Sequence, residues 1–257
     1  MRPAPLVLLV LLTGCVTRPP ADDGTGDVPL DAPTRLVYGG LCDEMLGAFP
    51  VAPDAVALPE GFAPAPFVAP GPASNVFVIG WRCAAATTDL DANASDPVTE
   101  VFAGYGVVVP EEYRLEGAYG HAILLGLGTS SNLSATTYEA WGIPAALTDV
   151  AFEWQAAPRG GSGRLAAAAG PLDIDIRVNA GPDSPDVANA ARFFVVEGDR
   201  VTAAYDIAWT DAPGVQGQAL SSGALPGAPP ATTGLGFYYS TEVEERYVMS
   251  PVELPSR

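Results

Sequence analysis

The chain contains no lysine: all twelve of its cationic side chains are arginine. Imine chemistry by a lysine amine is therefore excluded. It has one histidine, His121, so a metal centre made of several imidazoles is excluded by number, and the paired-cysteine spacings of zinc sites are absent. Positive charge is scarce in general. Thirty carboxylates against twelve arginines leave a net charge of −18, and phosphate neutralisation needs clustered cations. Nucleic acid is thus not an expected partner, and an acidic body should avoid anionic headgroups. Long apolar runs are missing too. Leu6 to Leu12, "LVLLVLL", has seven residues. At ~1.5 Å per residue it falls well short of a hydrocarbon layer of ~30 Å.

What is present at the N-terminus suggests export instead. Arg2 precedes the apolar run, the order of a signal peptide. The run ends in Leu12-Thr13-Gly14-Cys15, which resembles the lipobox of bacterial lipoproteins. The resemblance implies that residues 1–14 are a signal peptide, that Cys15 carries lipid, and that the bilayer is a partner. Several acyl chains at ~0.8 kcal/mol per buried methylene give lasting attachment without a spanning helix. Val16 rather than Asp follows the cysteine; the expected location is the cell envelope, at the outer membrane in a Gram-negative cell. Residues 15–33, rich in Pro, Gly and Asp, cannot bury enough surface to order themselves and read as a flexible acidic tether.

Residues 34–257 are one domain's worth of chain, and 48% apolar composition is ample for a core. With Cys15 lipidated, Cys42 and Cys83 remain as an even pair in an oxidising compartment and are expected to form a disulfide, two separate buried thiols being the alternative. Strand-like segments run from Asn75 to Ala84, Thr99 to Val109, Gly117 to Leu127, Leu147 to Trp154, Gly163 to Ala168 and Leu172 to Val178. Arg192 to Trp209 reads as a hairpin turning at Glu197-Gly198-Asp199. Strands near Gly236 to Tyr239 and Glu244 to Met249 end the chain. Between them, Asn132 to Trp141 has helical period, with Ser130, Ser131 or Asn132 as its cap and Gly142 and Pro144 as its stop. The expected fold is mainly β (α+β): a single antiparallel, closed or nearly closed barrel-like sheet with one or two short helices. Closure removes exposed edges and often encloses a cavity for one small ligand.

The junction "WGIPAAL", Trp141 to Leu147, with the helix before it and the strand after it, resembles the acetoacetate decarboxylase-like family, in which "GRELWGFPKK" leads from helix to strand. "LPEGFAPAP", Leu58 to Pro66, is similar to that family's early Leu-Pro segment. "DPVTEVFAGYGVVVP", Asp96 to Pro110, is similar to its "YNE" strand. The resemblance implies a barrel with a pocket and places Glu100 on the family's active-site glutamate, with Tyr105, Trp141, Ala145 and Ala146 beside it as ligand-binding positions. In the decarboxylases two adjacent lysines come after the Pro; one forms an imine with the substrate ketone. Here Ala145 and Ala146 stand there, and a methyl group can form no imine, so that mechanism is excluded and no cofactor is implied.

Three functions are expected on these grounds. The leading one is a membrane-anchored lipoprotein whose altered decarboxylase-like domain binds a small organic acid or lipid-like ligand. A second is an enzyme without an imine, an isomerase or hydrolase, using Glu100 or His121 as catalytic residue, burial raising the carboxyl into a working range. The third is a structural or interaction lipoprotein with no functional pocket. Arg35 and Arg82 are candidate carboxylate clamps. Glu100 also has a competing role: Asp89, Asp91, Asn93 and Glu100 stand at positions one, three, five and twelve of a calcium-loop spacing. Ala94 replaces the turn glycine there and Pro97 occupies position nine, so an acidic hairpin loop is the plainer reading. The oligomeric state is left open by the sequence.

Overall fold

β-Branched and aromatic residues at alternate positions build thirteen strands and one α-helix among the described residues. The computed structural model describes residues 32–67, 75–91, 97–158, 160–169, 172–185 and 189–255. The first strands are β1 (Leu36–Pro50), the short β2 (Ala63–Pro64), β3 (Asn75–Thr88), β4 (Val98–Val108) and β5 (Gly120–Thr129). Then come α1 (Asn132–Ala140), the short β6 (Ala146–Leu147), β7 (Ala151–Ala157), β8 (Gly160–Ala169) and β9 (Leu172–Pro185). The chain continues through β10 (Asn189–Glu197), β11 (Arg200–Trp209), β12 (Pro213–Ser221) and β13 (Thr233–Pro251).

Seven strands close a ring in the order β1-β3-β4-β5-β10-β11-β13, because β13 pairs back to β1. From β13 the sheet continues as β12-β9-β8-β7 and lies over the outside of the barrel wall. The two cores arise from the strand period of two. On β4, Val98 and Phe102 join an inner cluster with Tyr38, Trp81, Phe193 and Tyr205. Val101, Ala103, Tyr105 and Val107 point the other way, into a second cluster with Leu165, Ile174 and Ile176 of the outer sheet. At Gly80 the wall and outer sheet approach too closely for a larger residue: a Cβ there would lie 2.5 Å from a methyl of Leu165.

Most pairings are antiparallel, as expected, but the sheet is mixed. β5 pairs with β10 in parallel and with β6 in parallel. The cause is connectivity. After β5 the chain leaves the barrel through α1 and builds β7 to β9 outside it, so β10 re-enters in the direction of β5. β1 and β12 went unforeseen because their glycines, prolines and interior polar residues blur the alternation. The two closing segments are one strand, β13, with an irregular register between Val243 and Tyr247.

The "WGIPAAL" junction is first of all a helix stop. Ser131 caps α1, its side chain accepting from the Ser134 N–H at 3.3 Å. At the other end the Ile143 N–H reaches the Tyr138 carbonyl at 2.8 Å and the Gly142 N–H reaches Glu139 at 3.0 Å, the paired bonds of a Schellman cap. Gly142 takes φ +71°, which favours glycine, and Ile143 and Tyr138 pack in one cluster. Cys42 and Cys83 face each other on β1 and β3 and are disulfide-bonded.

Candidate functional site

Glu100 lies on β4 between Trp81 of β3 and Thr129 of β5. The strand period sends its side chain inward, beneath α1, and none of it is exposed. The Tyr38 hydroxyl donates to one carboxyl oxygen, and the Tyr138 hydroxyl donates to the other at 3.0 Å. Thr129 and Ser134 also hydrogen-bond to the carboxyl. Burial pushes Glu100 up to about 7, against the downward pull of those donors. Burial, and then the Glu100 charge, raise Tyr38 and Tyr138 well above the usual phenol range, so both remain donors.

Around the carboxyl runs a closed circuit of aromatic contacts. Tyr38 meets Trp81 edge-on at 5.5 Å, Trp81 meets Phe102 at 5.2 Å, and Phe102 meets Phe193 at 5.0 Å. Phe193 stacks on Tyr205 at 5.2 Å, Tyr205 meets Tyr138 at 6.2 Å, and the Tyr138 and Tyr38 hydroxyls are 3.4 Å apart. Two polar atoms in this circuit are buried and have no hydrogen-bond partner: Trp81 Nε1 and the Tyr205 hydroxyl. A buried N–H or O–H without a partner costs about 1–3 kcal/mol. On the far side of Trp81, Tyr247 stacks at 4.5 Å and donates to Glu44. Glu44 also accepts from Arg246 at 3.1 Å. The inside of the barrel therefore holds a carboxyl, an ion pair and two unmatched donors between aromatic walls.

Of the residues singled out from sequence, Glu100, Trp141 and Ala145 are brought together at the interior cluster. Trp141 meets Tyr138 edge-on and donates its indole N–H to the Pro33 carbonyl, which pins the chain ahead of β1 across this end of the barrel. Ala146 is half-buried opposite Gly128. Tyr105 is not in the site. One residue out of phase with Glu100, it packs in the outer cluster and donates to the Pro53 carbonyl at 2.9 Å. His121 is on the outer face as well, opposite Val107, seven residues along β4 from Glu100, about 23 Å at ~3.3 Å per residue. The two share no catalytic geometry.

The calcium-loop residues are not assembled either. Asp89 accepts from the Thr34 N–H and hydroxyl and the Arg35 N–H, while Glu100 points into the barrel. Asn93 and Cys15 lie outside the described residues. Arg35 pairs with Glu245 at 2.6 Å and Arg82 with Asp43 at 2.7 Å, so neither is an idle clamp. Sequence reasoning missed Tyr38, Tyr138, Tyr205, Glu44 and Arg246. Only Glu44 had a usable signal: Cys42, Glu44, Leu46 and Ala48 share the inward phase of β1.

A seven-stranded barrel with an outer sheet and one helix is an arrangement found in solved structures. A structure of the enduracididine biosynthesis enzyme MppR complexed with pyruvate superposes with a TM-score of 0.56 at 13% identity, covering 87% of this chain and 90% of that one. An acetoacetate decarboxylase-like enzyme from Sphingomonas wittichii RW1 gives 0.53 at 11% identity, covering 86% of this chain and 94% of the other.

The fold is acetoacetate decarboxylase-like.

MppR with HEPES buffer bound agrees, at 0.53 and 15% identity over 86% of both chains. No family model matches the sequence and no curated protein matches it. At these identities the likeness extends to the fold alone. Within the acetoacetate decarboxylase-like barrel, this chain presents alanine at both positions after the WG-x-P junction.

Proposed function

We propose that this chain is a lipid-anchored protein of the cell envelope whose acetoacetate decarboxylase-like barrel binds a small oxygen-rich organic acid without covalent capture. One observation carries the reading: the Trp81 indole N–H and the Tyr205 hydroxyl are buried in the aromatic circuit around Glu100 with nothing to donate to. Donors of this kind are matched by a bound oxygen atom. Glu100, raised to about 7, supplies a proton that a bound carboxylate can share. MppR was solved with pyruvate bound, and a 2-oxo acid is the class of ligand proposed here. With no lysine in the chain, the ketone stays a ketone. Attachment rests on the "LTGC" segment and the lipid expected on Cys15; Cys15→Ser should move the protein from the membrane to the soluble fraction.

Calorimetric titration of the full-length chain in detergent with pyruvate tests the binding. Saturable heat at pH 6, at least tenfold weaker affinity in Tyr205→Phe and no borohydride-stable adduct are expected. Absence of saturable heat with pyruvate and longer 2-oxo acids would overturn the reading. A second reading has its own support. The interior is lined by large, fully buried rings, and both Glu100 oxygens already accept hydrogen bonds, as suits a structural lipoprotein with a filled barrel. That reading predicts no binding at any pH.

A further inference from the structure

A cleft of about 280 Å³ opens on the outer wall of the barrel, at the end remote from α1. Ala65, Pro66 and Val109 make an apolar side, and Arg114, Tyr119 and His121 a polar one. Val107 and Val108, which pair with the segment Ala63–Pro64, also line it, and His121 reaches it from the start of β5. None of these residues takes part in the interior network around Glu100, so the cleft is independent of the barrel's ligand.

The polar side is built rather than incidental. His121 is half-buried and its ring lies over Phe194 at 6.3 Å. Its Nε2 accepts from the Leu115 N–H at 3.0 Å, so the ring proton sits on Nδ1, for which the described residues provide no acceptor. Burial, then the charges of Arg192 and Arg114, hold this imidazole below its ordinary range against the opposing pull of Asp206. It is a neutral donor, not a base. Arg192 is committed: it grips Asp206 at 2.6 and 2.8 Å and the carbonyls of Tyr113 and Arg114 at 3.2 and 3.4 Å, which fixes the loop carrying Arg114. Arg114 itself is exposed, and its guanidinium forms none of the five ion pairs among the described residues. Glu111, Glu112 and Glu116 stand on the same loop without pairing to it. A guanidinium and an imidazole lining one cleft beside apolar side chains form the usual recognition set for a carboxylate with an apolar body.

We propose that this cleft is a second binding site, taking a small apolar monocarboxylate whose charged end meets Arg114 and His121 Nδ1 and whose body lies against Ala65, Pro66 and Val109. The single histidine makes the test direct. Full-length chain labelled with carbon-13 histidine is titrated with benzoate, and with benzamide as its uncharged counterpart. A saturable shift of the one imidazole signal with benzoate, at least tenfold weaker with benzamide and in Arg114→Gln, is expected. No saturable shift up to ~10 mM, the range of a weak anion contact, would overturn the proposal. So would equal responses to acid and amide, or an Arg114→Gln titration indistinguishable from wild type. Arg114→Gln alters an exposed side chain that anchors nothing, so a misfolded variant does not confuse the result. The interior binding is read separately by Tyr205→Phe; either site can fail alone.

Discussion

A carboxyl group with no exposed surface must be protonated or surrounded by donors, and Glu100 sits close to the balance between the two. Its rise from 4.5 to about 7 means that the folded chain holds this proton over a pH range in which the unfolded chain releases it. Stability from this group is therefore greatest below pH 4.5 and is lost as pH climbs to 7, by about 3 kcal/mol in all. Glu100→Gln abolishes that loss. Urea midpoints at pH 5 and pH 8 should show the wild type weakening relative to the variant; parallel behaviour would mean that the carboxyl is ionised throughout. Tyr205→Phe removes a buried hydroxyl with no partner and should stabilise the ligand-free protein by about 1 kcal/mol, which thermal unfolding will detect. At this scale the sequence is partly legible. Glu100 is placed by its phase on a clear strand, whereas Tyr105, five residues on, can be put in the pocket only against the period of two. The tyrosines that hold Glu100 come from β1 and α1, too far apart in sequence for spacing to connect them.

The elements are read best where local chemistry is complete. Ser131, Gly142 and Pro144 mark the ends of α1, and Gly198 turns the β10–β11 hairpin with φ +64°. Substituting Gly142 should cost about 1 kcal/mol through its positive φ. Gly39→Ala should cost more, about 1–3 kcal/mol, because its Cβ would stand 1.8 Å from the Glu244 carbonyl where β1 and β13 cross irregularly. Chemical denaturation of both variants checks the order, and a reversed order would mean that the crossing can relax. The parallel pairing of β5 with β10 is illegible. It depends on some sixty residues of intervening chain that fold outside the barrel, and no local pattern encodes the direction of return. The Cys42–Cys83 bond ties β1 to β3 across a separation of 41 residues. Replacing both cysteines by serine should lower stability by about 3–4 kcal/mol on the chain-entropy model, measured by denaturant unfolding; no change would mean that the unfolded chain is constrained in some other way.

For the whole molecule, the barrel is legible because strands spaced along most of the chain leave few ways to avoid open edges. The outer sheet is not, since the same alternation serves a barrel wall and a covering layer equally well. That layer gives β4 two buried faces and lets one strand carry both Glu100 and the hydrophobic residues of the outer core. A barrel insulated in this way keeps water from the Glu100 circuit, which is what raises the carboxyl and leaves the Trp81 and Tyr205 donors unmatched. The central claim is that these two donors wait for a ligand oxygen. It is tested most directly by observing the Trp81 indole N–H in a nitrogen-15 spectrum, one of four such signals in the chain, as pyruvate labelled at its ketone carbon is added. The predicted result is a saturable downfield shift of Trp81 alone while the bound carbon keeps its ketone resonance. An indole signal that does not move, or a ketone resonance converted to that of a covalent adduct, would contradict it.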